Sequence, residues 1–311
     1  MPELRLGDRS LVAESGSNLL DTLLAAGVAL PYSCRAGSCH ACMVRCQGAL
    51  EDAQPDALSP AQREQGWRLA CQCRLQGDLA VELFDPGRDG LPARVQSVDW
   101  LSERVLRLRL LPERPLRYAA GQHLLLWNAQ GLARPYSLAS LPGEDTWLEF
   151  HLDCLPGGAF SESARCLQPG DPLRLGELRG GALHYDPTWS ERPLWLLAAG
   201  TGLAPLWGIL REALRQHHQG PIKVIHLADD PVGHYLAQPL LALAAAHSQL
   251  NVQLPTAADQ ASVLAGLRLV SRQTLSLLCG SPASVDAFAR RLFLIGVPRN
   301  QVLADVFLPR A

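Results

Sequence analysis

Residues 31–42 read PYSCRAGSCHAC and set Cys34, Cys39 and Cys42 in the spacing C-x4-C-x2-C. Three chemistries use thiols crowded in this way: a disulfide, a zinc site and an iron–sulfur cluster. The chain has nine cysteines, an odd number that no complete intramolecular disulfide set accommodates. Its N-terminus, MPELRLGDRS, lacks a basic stretch followed by an apolar run, so the expected location is cytoplasmic, where thiols stay reduced. Structural zinc prefers two short knuckles; Cys39 and Cys42 would then face Cys71 and Cys73, with Cys34 idle. A [2Fe–2S] cluster takes four thiolates in the spacing seen here, the fourth lying far along the chain. Cys34, Cys39 and Cys42 fit it, with Cys71 or Cys73 as the fourth. Ala36, Gly37 and Ser38 let the backbone wrap closely and offer N–H and hydroxyl donors to negatively charged sulfur.

The bulk numbers set limits around this loop. A chain of 311 residues exceeds one ordinary core and implies two or three domains. Hydrophobic residues make up 48% and charged residues 19%, a globular composition. A net charge of −2 gives no electrostatic case for nucleic acid or an anionic membrane as partner. The most apolar run, residues 193–210, is interrupted by Gly200, Gly202, Pro205 and Gly208, so it reads as strand, loop and helix start rather than a membrane span. Cys34, Cys39, Cys42, Cys46, Cys71 and Cys73 all fall in the first quarter, which makes the thiol chemistry local to that segment.

Pattern changes divide the chain at 1–88, 93–188 and 192–311. The first unit shows an opening hairpin turned at Gly7-Asp8, then a helix capped by Ser17 or Asn18 with Leu19, Leu20, Leu23 and Leu24 on its apolar face and Gly27 at its end. The cysteine loop follows, then strand-like runs that include LACQCRL and LAVELF. This is an α+β pattern. PGRDGLP at 86–92 reads as a linker. The second unit is a series of strand candidates separated by Pro/Gly turns, as in an antiparallel barrel. The third alternates strands and helices, as in a parallel α/β sheet.

PYSCRAGSCHAC resembles the cluster-binding loop of plant-type ferredoxins, and LACQC resembles the segment that supplies their fourth ligand. The resemblance implies a β-grasp fold and Cys71 as that ligand, with Cys73 the alternative. RPYS, residues 134–137, suits a flavin. Arg134 can grip a phosphate bidentately, Tyr136 can stack on the isoalloxazine, and Ser137 can hydrogen-bond near N5. RPYSLAS resembles the flavin motif of the ferredoxin–NADP reductase superfamily, with Pro135 inside it. LPGGAFSES, with Gly157, Gly158 and Ser161, resembles that superfamily's glycine-rich helix start, whose N–H groups would hold a phosphate. AAGTGLAP follows an apolar strand and opens a helix, the context of a phosphate loop. Gly200, Thr201, Gly202, Ala204 and Pro205 resemble the same superfamily's pyridine-nucleotide loop. CGSP resembles its later motif, which implies that Cys279 and Gly280 lie beside the nicotinamide, and Phe307 matches its aromatic near the C-terminus. After the strand PIKVIHL come Asp229 and Asp230. An acidic side chain accepts ribose hydroxyls and repels a 2′-phosphate, so NADH is favoured over NADPH.

The order of the three motifs resembles single-chain reductase components of bacterial oxygenases. The resemblance implies a multidomain chain: β-grasp ferredoxin, antiparallel flavin barrel, α/β nucleotide unit. It implies FAD, since relatives that use FMN carry the ferredoxin unit at the other end. The expected function is electron transfer from NADH through FAD and a [2Fe–2S] cluster to a protein acceptor such as an oxygenase component. Ser137 and Cys279 would assist the hydride step. The alternative is a reductase acting on a small, deoxysugar-type substrate. Residues 1–88 hold 11 Asp/Glu against 8 Arg, which would suit a basic docking face on the acceptor.

Overall fold

The computed structural model describes residues 1–180 and 182–308. Gly181 and residues 309–311, which fall within the second and third expected units, lie outside the described residues.

In the first unit β1 (Glu3–Leu6) and β2 (Arg9–Val12) form the expected hairpin, with Leu4 opposite Leu11. Helix α1 (Leu19–Ala25) begins at Asn18, whose side chain accepts from the Asp21 N–H at 3.2 Å. Its apolar residues Leu19, Leu20 and Leu23 are wholly buried, and Gly27 ends it at φ +73°. β3 (Met43–Asp52), the short helix α2 (Pro60–Glu64), β4 (Trp67–Leu69) and β5 (Cys73–Leu83) complete a sheet ordered β2-β1-β5-β3-β4.

LACQC departs from the expected strand. Ala70–Gln72 is a 3₁₀ turn between β4 and β5. Its hydrogen bonds go to the neighbouring loop and helix cap rather than to a ladder. The Ala70 N–H donates to the Cys42 carbonyl at 3.0 Å, and Asn18 Nδ2 donates to the Cys71 carbonyl at 2.9 Å. The expected linker is likewise structured. α3 (Pro86–Asp89) is one turn capped by Asp85, which accepts from the Gly87 N–H at 2.8 Å. The next strand starts directly at Leu91.

The second unit contains β6 (Leu91–Trp100), β7 (Val105–Pro112), β8 (His123–Trp127), β9 (Ala133–Ser137), β10 (Leu148–Asp153), helix α4 (Ala159–Arg165) and β11 (Pro172–Arg179). All pairings are antiparallel, in the order β10-β7-β6-β11-β8-β9. The sheet curls until its edges approach: the Ala139 N–H, just past β9, donates to the Glu149 carbonyl of β10 at 2.8 Å.

The third unit is a parallel sheet ordered β14-β13-β12-β15-β16, built from β12 (Leu194–Ala199), β13 (Ile222–Leu227), β14 (Leu250–Gln253), β15 (Leu275–Gly280) and β16 (Val302–Val306). LWLLAA and LSLLCG are apolar almost throughout because helices cover both faces. These are α5 (Leu203–Arg215), α6 (Ala237–Ala246), α7 (Gln260–Gly266) and α8 (Pro282–Leu294). Leu194, Leu196, Leu206, Ile209 and Leu210 share one buried cluster with Val105, Leu141 and Leu183 of the second unit, so the two units have a common core. Each such side chain contributes about 2 kcal/mol by leaving water. Among the described residues no helix is long and apolar enough to cross a membrane.

Candidate functional site

The cysteine loop is held in shape by left-handed residues: Arg35 at φ 52°, Gly37 at 77° and His40 at 55°. The left-handed conformation favours glycine at 37, where a Cβ would also have to push the end of the Gln54 side chain aside. The wrap aims amides at sulfur. The Ala36 and Cys39 N–H groups donate to Cys34 Sγ, both at 3.3 Å, and the Cys34 N–H donates to Cys39 Sγ at 3.4 Å. Gln72 Nε2 donates to Cys71 Sγ at 3.2 Å and to the Arg35 carbonyl at 3.0 Å, tying the 3₁₀ turn to the loop.

The four thiols lie in two pairs, Cys34 with Cys39 and Cys42 with Cys71, and in each pair the contact lowers the pKa of one thiol, Cys34 and Cys71, and raises that of its partner. Two thiolates per iron on two irons is the donor set of a binuclear cluster, so these residues fit one. Among the described residues no group of three or more His, Cys, Asp or Glu converges as a single-ion site would need. Cys73, two residues past Cys71, points the other way. It is fully buried with Leu69, Leu75 and Leu79, and burial raises its pKa.

The loop abuts the second unit. Cys39 and Phe84 pack on Leu125, Trp127 and Ala133, and Phe84 stacks on Trp127 at 5.6 Å. One cavity of about 810 Å³ therefore has the cysteine loop, β9 and the third unit on its walls. Cys34 and Cys39 line one part, Arg134, Pro135, Tyr136 and Ser137 another, and Thr201, Ala204 and Phe307 a third. Tyr136 leans on Phe160 at 5.3 Å, and burial raises its pKa, keeping the phenol neutral. Gly158 and Ser161 also reach the wall, while Gly157, exposed and not part of it, is at φ +81° in the turn that starts α4. Ser161 Oγ donates to the Gly158 carbonyl at 2.9 Å. The cavity fits a large group with a polar edge. His123, directly opposite Ser137 in the β8–β9 register, lines it with both ring nitrogens buried and without a hydrogen-bond partner, and His40 Nδ1 is in the same state.

A second cavity, of about 640 Å³, lies where β12 runs into α5. Gly200–Gly202 forms a 3₁₀ turn there rather than a bare loop. Gly200 and Thr201 line this cavity, together with Asp229, Asp230, Ser281 and Pro282. Thr201, Asp153 and Phe307 line both cavities, so the two adjoin at these residues. Gly202, the last residue of the turn, and Pro205, in the first turn of α5, are buried and line neither cavity. A Cβ on Gly202 would collide with the Cys279 carbonyl. Gly202→Ala is therefore expected to displace the turn, lowering stability by about 1–3 kcal/mol and weakening nucleotide binding, as a thermal melt and a nucleotide titration would show.

Cys279 and Gly280 are placed differently from Ser281 and Pro282. The Cys279 thiol is fully buried, with its pKa raised by burial, and is absent from both cavity walls. CGSP reaches the second cavity through its last two residues. Gly280, at φ +147°, accepts the Phe307 N–H at 2.8 Å and so anchors that aromatic between the cavities. Asp229 is not a lone acid. Arg104 spans Asp153, at 2.7 and 2.9 Å, and Asp229, at 3.1 Å.

Three family models match in the order of the three sheets: a 2Fe-2S iron-sulfur cluster binding domain over residues 5–76, an oxidoreductase FAD-binding domain over 93–182 and an oxidoreductase NAD-binding domain over 196–289. The reductase component of the naphthalene 1,2-dioxygenase system of Pseudomonas putida, a ferredoxin–NAD(P)+ reductase, is 32% identical over 97% of each chain. This chain belongs to that reductase family. Reductase component 1 of the terephthalate 1,2-dioxygenase of a Comamonas species is 31% identical over 94% of this chain and 92% of its own. Among solved structures, an Amycolatopsis cytochrome P450 reductase superposes with a TM-score of 0.67 at 28% identity, covering 99% of both chains. The ferredoxin reductase of a carbazole 1,9a-dioxygenase gives 0.67 at 25% identity, covering 99% and 98%. The chain is thus an NAD-linked oxidoreductase with FAD and a [2Fe–2S] cluster as its cofactors.

Several wall residues carry no motif. His123 heads the apolar run HLLLW, and a polar residue opening a fully buried strand is the one signal sequence offered for it. Asp305 on β16 lines the first cavity, with its pKa raised by burial, but its strand was not recognisable beforehand. Arg104 sits in a surface turn, SERV, that gives no hint of its two acidic partners.

Proposed function

We propose that this reductase takes a hydride from NADH and delivers single electrons to a separate protein, an oxygenase component, in a reducing compartment such as the cytoplasm. The observation that carries this reading is the shared cavity: the cysteine loop, RPYS and Phe307 wall one space, which lets electrons pass within one chain. The naphthalene and terephthalate dioxygenase relatives support the choice of acceptor. Nine cysteines without a disulfide among the described residues suit a compartment that keeps thiols reduced.

When bound, FAD accepts two electrons as hydride and the cluster passes them on one at a time, which is the cofactors' own chemistry. The chain's residues hold and orient. Cys34 and Cys39 would ligate one iron, and Cys42 and Cys71 the other. Arg134 would fork onto the pyrophosphate and Tyr136 would face the ring. Gly157, Gly158 and Ser161 would lie along the phosphates, and Ser137 would hydrogen-bond beside N5. Gly200, Thr201 and Gly202 would cradle the nucleotide, with Ala204 and Pro205 opening the helix behind. Phe307, held by Gly280, would stand between the flavin and the nicotinamide. Cys279 would act from beneath that contact. The domain limits we propose are 1–88, 93–188 and 192–311.

Asp229 would favour NADH by repelling a 2′-phosphate, although Arg104 partly offsets its charge. Asp229→Ser is expected to lower the NADH-over-NADPH ratio of kcat/KM by about tenfold, roughly 1.4 kcal/mol. The whole reading is tested by analysing iron, sulfide and FAD in the purified protein and then following NADH oxidation with a one-electron protein acceptor. Stoichiometric cofactors and acceptor reduction are expected. Activity only with a small molecule, independent of the cluster, would overturn the choice of acceptor.

A further inference from the structure

A buried hydrogen-bond chain crosses from the flavin-binding unit to the nucleotide-binding unit. It starts at Arg109 on β7, whose Nε donates to Glu149 Oε2 at 2.7 Å. Glu149 Oε1 meets His151 Nε2 at 3.1 Å, and His151 Nδ1 meets the Tyr235 hydroxyl at 3.2 Å. The Tyr235 ring lies edge-on to His226 at 5.5 Å, and His226 Nε2 reaches the Gly200 carbonyl at 3.0 Å. His151 walls the first cavity and Tyr235 the second. The hydrogen bond between them joins the two sites.

The partners dictate the direction of every proton. Burial would raise the Glu149 pKa, but hydrogen bonds from His151 and Arg109 and the charge of Arg109 outweigh it and hold it below the usual carboxylate range, so Glu149 is ionised at neutral pH. A carboxylate only accepts, which puts the His151 proton on Nε2. Burial keeps that imidazole neutral, leaving Nδ1 as a bare acceptor. Tyr235, whose pKa burial raises, must then donate into it. The Gly200 carbonyl fixes the His226 proton on Nε2 by the same rule.

We propose that Tyr235 is a positioning residue for hydride transfer: through His151 and His226 it sets the nucleotide turn at one fixed spacing from the flavin cavity. This rests on the reading of the two cavities given above. The units also share an apolar core and a buried contact between the Tyr185 hydroxyl and His218 Nδ1 at 3.0 Å, but the ion pairs between them are softer. Arg211 with Asp145, at 2.7 Å, and Arg104 with Asp229, at 3.1 Å, are part-exposed ion pairs that tolerate sliding in water. The Tyr235–His151 bond is buried and directional, and loss of the hydroxyl strands an unpaired nitrogen.

Tyr235→Phe keeps the ring and removes only the oxygen. In the full chain loaded with FAD and cluster, anaerobic flavin reduction by NADH is expected to slow about 10- to 100-fold, the cost of a misplacement of about 1 Å. NADH affinity should change less than about threefold, because the groups that grip the nucleotide are untouched. Cluster reduction by chemically reduced flavin should keep its rate. Amide hydrogen exchange at residues 199–203 should rise in the variant even without cofactors, a readout independent of turnover. His151→Phe, which also takes a partner from Glu149, should slow flavin reduction at least as much, and the double variant should match His151→Phe, since the bond to Tyr235 is already gone. Wild-type flavin reduction rates in Tyr235→Phe, losses that multiply in the double variant, or affinity falling in step with rate would each overturn the proposal. Failure of NADH to reduce the unmodified protein would instead sink the underlying functional reading.

Discussion

Cys71→Ala is expected to yield protein without its cluster. Removing a partner that merely orients a metal ligand costs about 10–100-fold in affinity, and removing a ligand should cost at least about 100-fold. The purified variant should contain little iron or acid-labile sulfide. It should deliver electrons to a protein acceptor at under about 1% of the normal rate, while NADH still reduces its flavin. Cys73→Ala makes the matching control. Cys73 lies in the apolar core of the first unit, so its loss should lower stability by about 1 kcal/mol and leave iron content unchanged. Retained iron in Cys71→Ala together with lost iron in Cys73→Ala would reverse the assignment of the fourth ligand.

Arg134→Ala is expected to weaken FAD binding by about 100-fold, since two charge-assisted hydrogen bonds to phosphate contribute about 1.5–3 kcal/mol each before the loss is partly offset by water. Arg134→Lys should recover part of the affinity, keeping the charge but losing the fork. A flavin titration of the apoprotein measures both. Tyr136 and Phe160 remain packed in either variant, so the melting temperature of the apoprotein should move little. Unchanged flavin affinity in Arg134→Ala would remove RPYS from the phosphate end of the site.

The three-sheet organisation was legible because each unit writes its fold in local pattern. The leucine spacing of α1 and the Asn18 cap, the alternating strands of the second unit and the apolar runs of β12 and β15 all depend on near neighbours in sequence. Elements that depend on distant partners were not. β14 and β16 are edge strands of few residues whose pairing is with β13 and β15, and α7 has no buried residue to give it a periodic face. LACQC reads as a strand because its residues are apolar, yet contacts from Cys42 and Asn18 turn it into the 3₁₀ step that presents Cys71.

The candidate site divides in the same way. Cys34, Cys39 and Cys42 are set by one loop and could be read from spacing. The choice between Cys71 and Cys73 depends on which thiol faces the loop, and the two differ by a single turn of backbone. Cys279 is the opposite case: its motif is local, but the parallel sheet buries the thiol, and Ser281 and Pro282 meet the cavity instead. The network from Arg109 to Gly200 draws on three strands and two turns, so no sequence window contains it. The same holds for Arg104, whose partners Asp153 and Asp229 come from two different units.

The central claim is that one chain carries electrons from NADH to a cluster held by Cys34, Cys39, Cys42 and Cys71. It is tested most directly by adding NADH anaerobically to the purified protein while recording its visible absorbance and its low-temperature electron paramagnetic resonance. Bleaching of the flavin bands, together with the signal of a reduced [2Fe–2S] cluster, is the predicted result. Flavin bleaching with no cluster signal, in protein shown to contain iron and sulfide, would contradict it.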